Sequence, residues 1–163
     1  MKYFWCYNSP LGQIVMESDG ENLISLKFGE FVGISSEFKK RNLDIFRDTT
    51  KWLAIYFSGN LPNFTPKILL GGSKFQLEVW QILLEIPFGA AMTYGEIAKQ
   101  IACQRKIPKM SAQAVGGAVG ANPIAIIVPC HRVIGKGGKL TGYAHGLDKK
   151  EFLLNLENAK FRA

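Results

Sequence analysis

Between Gly59 and Gly72 the chain carries Pro62, Pro66 and the pair Gly71-Gly72. Proline removes a backbone donor and glycine loosens the chain, so this stretch ends whatever precedes it and reads as a linker. It divides the 163 residues into an N-terminal α/β domain with linker, 1–72, and a second domain, 73–163. A chain of this length buries enough apolar surface for one compact unit or two small, closely packed domains.

The first part is patterned for strands. Tyr3–Tyr7, Gly12–Glu17 and Asn22–Phe28 are expected strands, with Ser18-Asp19-Gly20 as the turn between the last two. Asn42–Phe57 holds Leu43, Phe46, Trp52, Leu53, Tyr56 and Phe57. Its second half fits a helix that lays an aromatic face on the sheet, and such aromatics are core residues rather than a ligand box. Met1-Lys2-Tyr3-Phe4-Trp5-Cys6 has no sustained apolar run after its charge and reads as a first strand, not a signal peptide. No stretch is long and apolar enough to span a membrane, so no membrane partner is expected.

After the linker the punctuation is helical. Ser73 and Gln76 have capping-box spacing, and Phe75, Val79, Ile82 and Leu83 form a stripe that stops by Pro87, where Pro87-Phe88-Gly89 turns. Thr93 with Glu96 caps a helix from Tyr94 to about Ala102, Gln104 to Lys109 forms a basic connector, and Ser111 caps a second helix to about Val119. The pair resembles a helix-turn-helix with a long connector, against the plainer alternative of a helical hairpin inside a core. Asn122-Pro123 ends the second helix, and Ile124–Val128 reads as a buried strand. Leu147 or Asp148 opens a closing helix with Phe152, Leu153 and Leu156 on its apolar side.

Charge separates the two parts. Residues 1–72 carry eight Lys/Arg against seven Asp/Glu, and residues 73–163 carry twelve against six, within a net charge of +7. Between Glu96 and Asp148 stand Lys99, Arg105, Lys106, Lys109, Arg132, Lys136 and Lys139 with no acidic residue. A one-signed segment attracts a polyanion such as nucleic acid, and it equally serves as a solubilising face. The loop Gly135-Lys136-Gly137-Gly138-Lys139 lacks the terminal Lys-Ser/Thr of a phosphate-binding loop, which argues against nucleotide binding.

The cysteines Cys6, Cys103 and Cys130 leave an odd one over and include no CxxC spacing, and the only histidines are His131 and His145. Neither a disulfide framework nor a metal site is expected, a Cys6–Cys103 pair stays open, and a reducing cytoplasm fits. Cys130 stands apart from the other two. At the exit of the expected strand, after Pro129 and before His131-Arg132, it sits where nucleophiles are presented, and neighbouring positive charge would lower its pKa. A buried structural cysteine is the plainer account, and Cys6 exemplifies it.

Pro129-Cys130-His131-Arg132-Val133 resembles the active-site signature of the O6-alkylguanine-DNA alkyltransferases. Ala114-Val115-Gly116-Gly117-Ala118, Asn122-Pro123, Tyr143 and Gly146-Leu147 extend the likeness over residues 73–157, while residues 1–72 match only in size and general character. The resemblance implies a ribonuclease-H-like sheet domain followed by a winged helix-turn-helix-like domain. It implies direct reversal of damage in double-stranded DNA, an alkyl group passing irreversibly from O6 of guanine to the cysteine, with O4 of thymine left open as a second donor. Cys130 then resembles the nucleophile, His131 the base acting through a water, and Glu157 the carboxylate that orients it. Asn122 resembles the hinge asparagine, and Tyr94 the tyrosine that assists the leaving guanine at N3. The carbonyls of Cys130 and Val133 would accept from the guanine amine and the backbone near Ala144 would donate to O6, with Tyr143 beside the pocket. The helix bearing Ser111, Ala112, Gln113, Ala114, Gly117 and Ala118 would enter the minor groove, with Lys106, Lys109, Arg132 and Lys136 on phosphates. Arg132 serves equally as an internal structural residue. No cofactor is implied, and a monomer suffices because transfer needs one pocket.

The chain departs from that pattern in three places. Gln113 stands where the family often has arginine, Ala144 where serine is common, and His145 where glycine is often found beside the pocket. Gln113 brings no charge to the flipped base's gap, and His145 narrows access for bulky adducts. Three other accounts compete: a sensor that binds the adduct without transfer, a cysteine hydrolase using Cys130 and His131, and a purely structural winged-helix module, which leaves the Cys130 neighbourhood without a reason. The second needs the chain to turn at Cys130, because adjacent strand side chains point opposite ways.

Overall fold

A two-residue hairpin opens the chain: β1 (Lys2–Ser9) and β2 (Gly12–Ser18) pair antiparallel, with Ser9 opposite Gly12. Ser9 Oγ closes the turn, accepting from Leu11 N at 3.1 Å and donating to Gly12 O at 2.6 Å. The molecule is seen here in a computed structural model that describes residues 1–30 and 37–162. Residues 31–36 of the expected first domain and Ala163 of the second lie outside that description.

The chain forms two compact units, Met1–Gly71 with Pro123–Ala125, and Gly72–Asn122 with Ile126–Ala163. In the first, β3 (Leu23–Phe28) pairs antiparallel with β2, and β4 (Phe38–Lys40) pairs parallel with β1, giving the order β3-β2-β1-β4. Asp19 makes the β2–β3 turn by accepting from Glu21 N and Asn22 N at 3.0 and 2.8 Å, a short side chain standing in for backbone. Helix α1 (Asp44–Phe57) buries Ile45, Phe46, Thr49, Trp52, Leu53 and Tyr56, a stripe of helical period that meets the core. Trp52 and Tyr56 stack at 5.3 Å. The aromatic stretch is therefore core, as expected, and the helix runs well beyond its second half. Strand β4 is the element that sequence pattern missed, because three residues carry no readable period.

In the second unit, both expected capping boxes form. Ser73 Oγ accepts from Gln76 N at the head of α2 (Lys74–Glu85), and Thr93 Oγ1 accepts from Glu96 N at the head of α3 (Tyr94–Arg105). Ser111 Oγ accepts from Ala114 N and starts α4 (Ala112–Gly120). Trp80 Nε1 donates to Ala118 O at 2.8 Å and locks α2 onto α4. Strands β5 (Met92–Thr93) and β6 (Val133–Ile134) pair parallel, and α5 (Leu147–Leu156) closes the unit. The described residues contain no helix long and apolar enough to cross a membrane.

Two expectations need correcting. Ile124–Val128 is buried throughout but is no strand: Ile124 makes one bridge to Leu26, and the next residues turn, with Ile126 at φ 70°. An apolar run reports burial, and it cannot by itself distinguish a strand from a buried turn. In α5 the buried residues are Lys150, Leu153 and Leu154, whereas Phe152 is exposed. The helix turns its face to accommodate the lysine, whose ammonium finds partners inside.

Candidate active site

Cys130 opens a single 3-10 turn, Cys130–Arg132, and does not leave a strand. Pro129 precedes it with φ −82° and ψ 65°, and Cys130 N donates to Val128 O at 2.8 Å. Asn122, which ends α4, donates from Nδ2 to the same Val128 carbonyl at 2.7 Å. The asparagine thus grips the backbone two residues before the thiol. Because the chain turns here, the objection that Cys130 and His131 point opposite ways does not apply.

The thiol is buried and its pKa is pushed up by that burial, against favourable interactions with Asn122, the Lys150 charge and Tyr143. The expectation that His131 or Arg132 lowers it is corrected. Both of those side chains are bound to Glu157, and the cation that acts on the sulfur is Lys150. At neutral pH the group is therefore a protonated thiol, and attack requires a base.

His131, Arg132 and Glu157 form a buried cluster. His131 Nε2 and Glu157 Oε2 are 2.6 Å apart, and Arg132 Nε donates to Glu157 Oε1 at 2.8 Å. Arg132 Nη1 donates to Ile86 O at 2.7 Å, and Gly89 N donates to Glu157 Oε1 at 3.0 Å. His131 and Arg132, by their hydrogen bonds and charges, hold the Glu157 carboxyl at about 2 although burial opposes this. Burial pushes His131 below its ordinary 6.5, against the pull of Glu157. An uncharged imidazole oriented by an ionised carboxylate is suited to accepting a proton.

Tyr94, Gly116, Val119, Gly120, Gly142, Tyr143 and Ala144 surround Cys130 in a cleft of about 150 Å³. Burial raises the Tyr94 and Tyr143 hydroxyls, and the sulfur of Cys130 raises both further. Both phenols therefore stay protonated and serve as donors. Lys150 is fully buried, its Nζ donating to Thr141 O at 2.6 Å and Gly142 O at 2.8 Å and lying 5.8 Å from the Tyr94 ring centre. Burial lowers it to about 8. His145 stands edge-on to Tyr143, ring centres 5.5 Å apart. Val133 and Gln113 are not among the residues lining the cleft.

On the outer face of α4, Ser111, Ala112, Gln113, Ala114 and Gly117 are exposed, as are Lys106, Lys109 and Lys136. Two residues expected at DNA are not available to it. Ala118 is 4% exposed and faces α2, and Arg132 is 8% exposed with its guanidinium held by Glu157 and Ile86. Arg105, part of the basic connector, is forked onto Glu78 at 2.9 and 3.0 Å, which removes much of its charge from the face. Lys150 and the Gly89 amide are the site groups that sequence missed. A lysine beside Asp148 and Lys149 gives no sign of burial, and a turn glycine gives no sign that its N–H meets a carboxylate.

Known proteins match the chain over nearly its full length. Residues 74–159 match the family described as 6-O-methylguanine DNA methyltransferase, DNA binding domain, and residues 2–70 its ribonuclease-like domain. The chain is 47% identical to a methylated-DNA–protein-cysteine methyltransferase of Methanosarcina acetivorans, over 96% of this chain and 99% of the relative. It is 41% identical to the protein of that name from Mycobacterium tuberculosis H37Rv, covering 98% and 94%. A crystal structure of Mycobacterium tuberculosis OGT in complex with DNA is similar at TM-score 0.84 and 40% identity, covering 99% of this chain and 96% of that one.

Proposed function

The chain belongs to the 6-O-methylguanine DNA methyltransferase family, and from that premise we propose that Cys130 takes the alkyl group of O6-alkylguanine in double-stranded DNA. The protein is a single-use methyltransferase that repairs DNA by direct reversal. The observation that carries the assignment of residues is the position of Cys130. Its buried thiol lines a small cleft walled by two protonated phenols, and the next residue is an imidazole fixed by a carboxylate.

Each neighbour then has a task. His131 accepts the thiol proton, through a water, while Glu157 stabilises the imidazolium that forms. The sulfur forms a bond to the alkyl carbon as the carbon–O6 bond breaks, its electron pair passing to the guanine. The thiol proton finally replaces the alkyl group on the base, so the reaction balances without a cofactor. Tyr94 donates to N3 of the leaving base, and Asn122 and Tyr143 favour the transient thiolate. The backbone at Cys130, Val133 and Ala144 orients the guanine edge. The thioether product has no easy hydrolytic exit, so each molecule acts once.

The exposed face of α4, with Gln113 at the gap left by the base and Lys106, Lys109 and Lys136 on phosphates, holds the duplex. Phosphate contacts carry little sequence information, which suits a search for damage anywhere. The protein works as a monomer, in the cytoplasm, where reducing conditions keep Cys130 a thiol.

The test is to incubate the protein with duplex DNA carrying one labelled O6-methylguanine and to locate the label by peptide mass analysis. One methyl per protein on Cys130, absent in Cys130→Ser, is the expected result. Binding of the adduct without transfer would instead make the protein a sensor. Repeated turnover would make Cys130 and His131 a hydrolytic pair.

A further inference from the structure

Glu157 is claimed by two basic side chains at once. Arg132 reaches it with two nitrogens, Nε to Oε1 at 2.8 Å and Nη2 to Oε2 at 3.2 Å, while His131 Nε2 stands 2.6 Å from Oε2. The third guanidinium nitrogen is tied to Ile86 O at 2.7 Å, and the Phe88 ring centre lies 5.9 Å from the guanidinium carbon. Arg132 is thereby fixed by partners on both sides of the carboxylate. A guanidinium and a carboxylate forked together in a buried place form a neutral pair. An imidazole sharing that carboxylate is oriented without being forced to hold a proton. With the guanidinium gone, the same carboxylate is a lone buried charge, and protonating His131 is the nearest way to neutralise it.

We propose that Arg132 is a positioning residue of the reaction, which occupies the Glu157 carboxylate so that His131 stays neutral and able to take the Cys130 proton. The proposal rests on the reading of His131 as the base for Cys130. The charged groups bearing on the imidazole are Glu157, Arg132 and Lys150, and of these only Glu157 favours its protonation. The role accounts for a basic residue of the signature being turned inward, away from DNA.

The test is an NMR titration of the His131 imidazole in the wild type, Arg132→Met and Arg132→Lys, beside single-turnover methyl transfer against pH. In Arg132→Met the imidazole pKa should rise by about one unit or more, and the acid limb of the transfer rate should move up with it. Transfer at pH 7 should fall about tenfold or more and recover toward alkaline pH. Arg132→Lys restores the positive charge and should return the imidazole most of the way to wild type. A fall in transfer with no movement of the imidazole would reduce Arg132 to packing and overturn the proposal. A wild-type His131 already protonated at pH 7 overturns it without any variant, even if Arg132→Met fails to fold. The imidazole titration needs no DNA. Absence of transfer in the wild type would therefore strike the nucleophile reading and leave Arg132 to be judged by the titration.

Discussion

The two units bury opposite kinds of polar group. Among the described residues, the sheet unit buries Ser18, Ser25 and Thr49, all small hydroxyls, whereas the helical unit buries His131, Arg132, Lys150 and Glu157. A buried hydroxyl asks for one local bond: Thr49 Oγ1 donates to Ile45 O at 2.7 Å and Ser18 Oγ accepts from Gly20 N at 2.9 Å, whereas Ser25 Oγ has no partner among the described residues. A buried ion is tolerated only with well-placed partners, and breaking one such pair leaves the other charge stranded. The sheet unit therefore gains stability from its core at little electrostatic cost. The helical unit holds a set of charges, and one of them, Lys150, acts on the thiol of the cysteine proposed to react.

Substitutions sharpen that contrast, beginning with the carboxylate. Glu157→Ala strands Arg132 and His131 and should destabilise the protein by about 3–5 kcal/mol in urea unfolding, with methyl transfer abolished. Gly89→Ala comes next. Gly89 sits at φ +84°, and an added Cβ would stand 3.0 Å from Glu157 O. The left-handed backbone alone should cost about 1–2 kcal/mol, and transfer should slow because the amide that holds the carboxylate shifts. In the sheet unit, Thr49→Val should cost only about 1 kcal/mol and leave transfer unchanged. A Thr49→Val loss as large as that of Glu157→Ala would break the comparison.

Acid should reveal the same division. Glu157 has a folded pKa of about 2, depressed from 4.5, so its contribution is complete above the unfolded value and lost as pH falls through the folded one. His131 is also depressed, so the unfolded chain binds its proton first and stability begins to fall below 6.5. Urea midpoints measured from pH 7 to pH 2 should therefore decline in two stages, and Glu157→Gln should remove the lower one. The smallest effect belongs to the outer face. Lys109→Ala should weaken DNA binding about equally for all sequences and reduce the salt slope by about one, with stability unchanged. Arg132 substitutions should leave that slope alone.

Much of the architecture was legible because it is written in local signals. The Pro/Gly linker, the capping boxes at Ser73 and Thr93 and the aromatic stripe of α1 each state a backbone preference that the fold respects. The motif around Cys130 pointed to it as the proposed nucleophile and, through the resemblance, to Asn122, Tyr94, His131 and Glu157. The structure puts Tyr94 in the cleft with Cys130, links His131 to Glu157, and ties Asn122 to the backbone before the thiol. Ile124–Val128 misled because hydrophobicity records that a segment is buried and says nothing of its dihedral angles. Ala118 misled because a helix does not state which way a side chain faces, and of the two readings of Arg132 the structure bears out the internal one.

Sequence by itself determined the caps that open α2, α3 and α4, which part carries the excess positive charge, and which cysteine stands out as the candidate nucleophile. Tertiary structure alone decided which of the charges point inward. Arg132 and Lys150 look from sequence like the lysines that reach solvent, yet one forks onto a carboxylate and the other onto two carbonyls. The reason is physical. A charge is buried only where partners from distant segments converge on it, and Arg132 depends on Ile86 and Glu157, 46 and 25 residues away along the chain. No local pattern carries that convergence, and the Glu157 carboxylate it holds bears on the titration of His131.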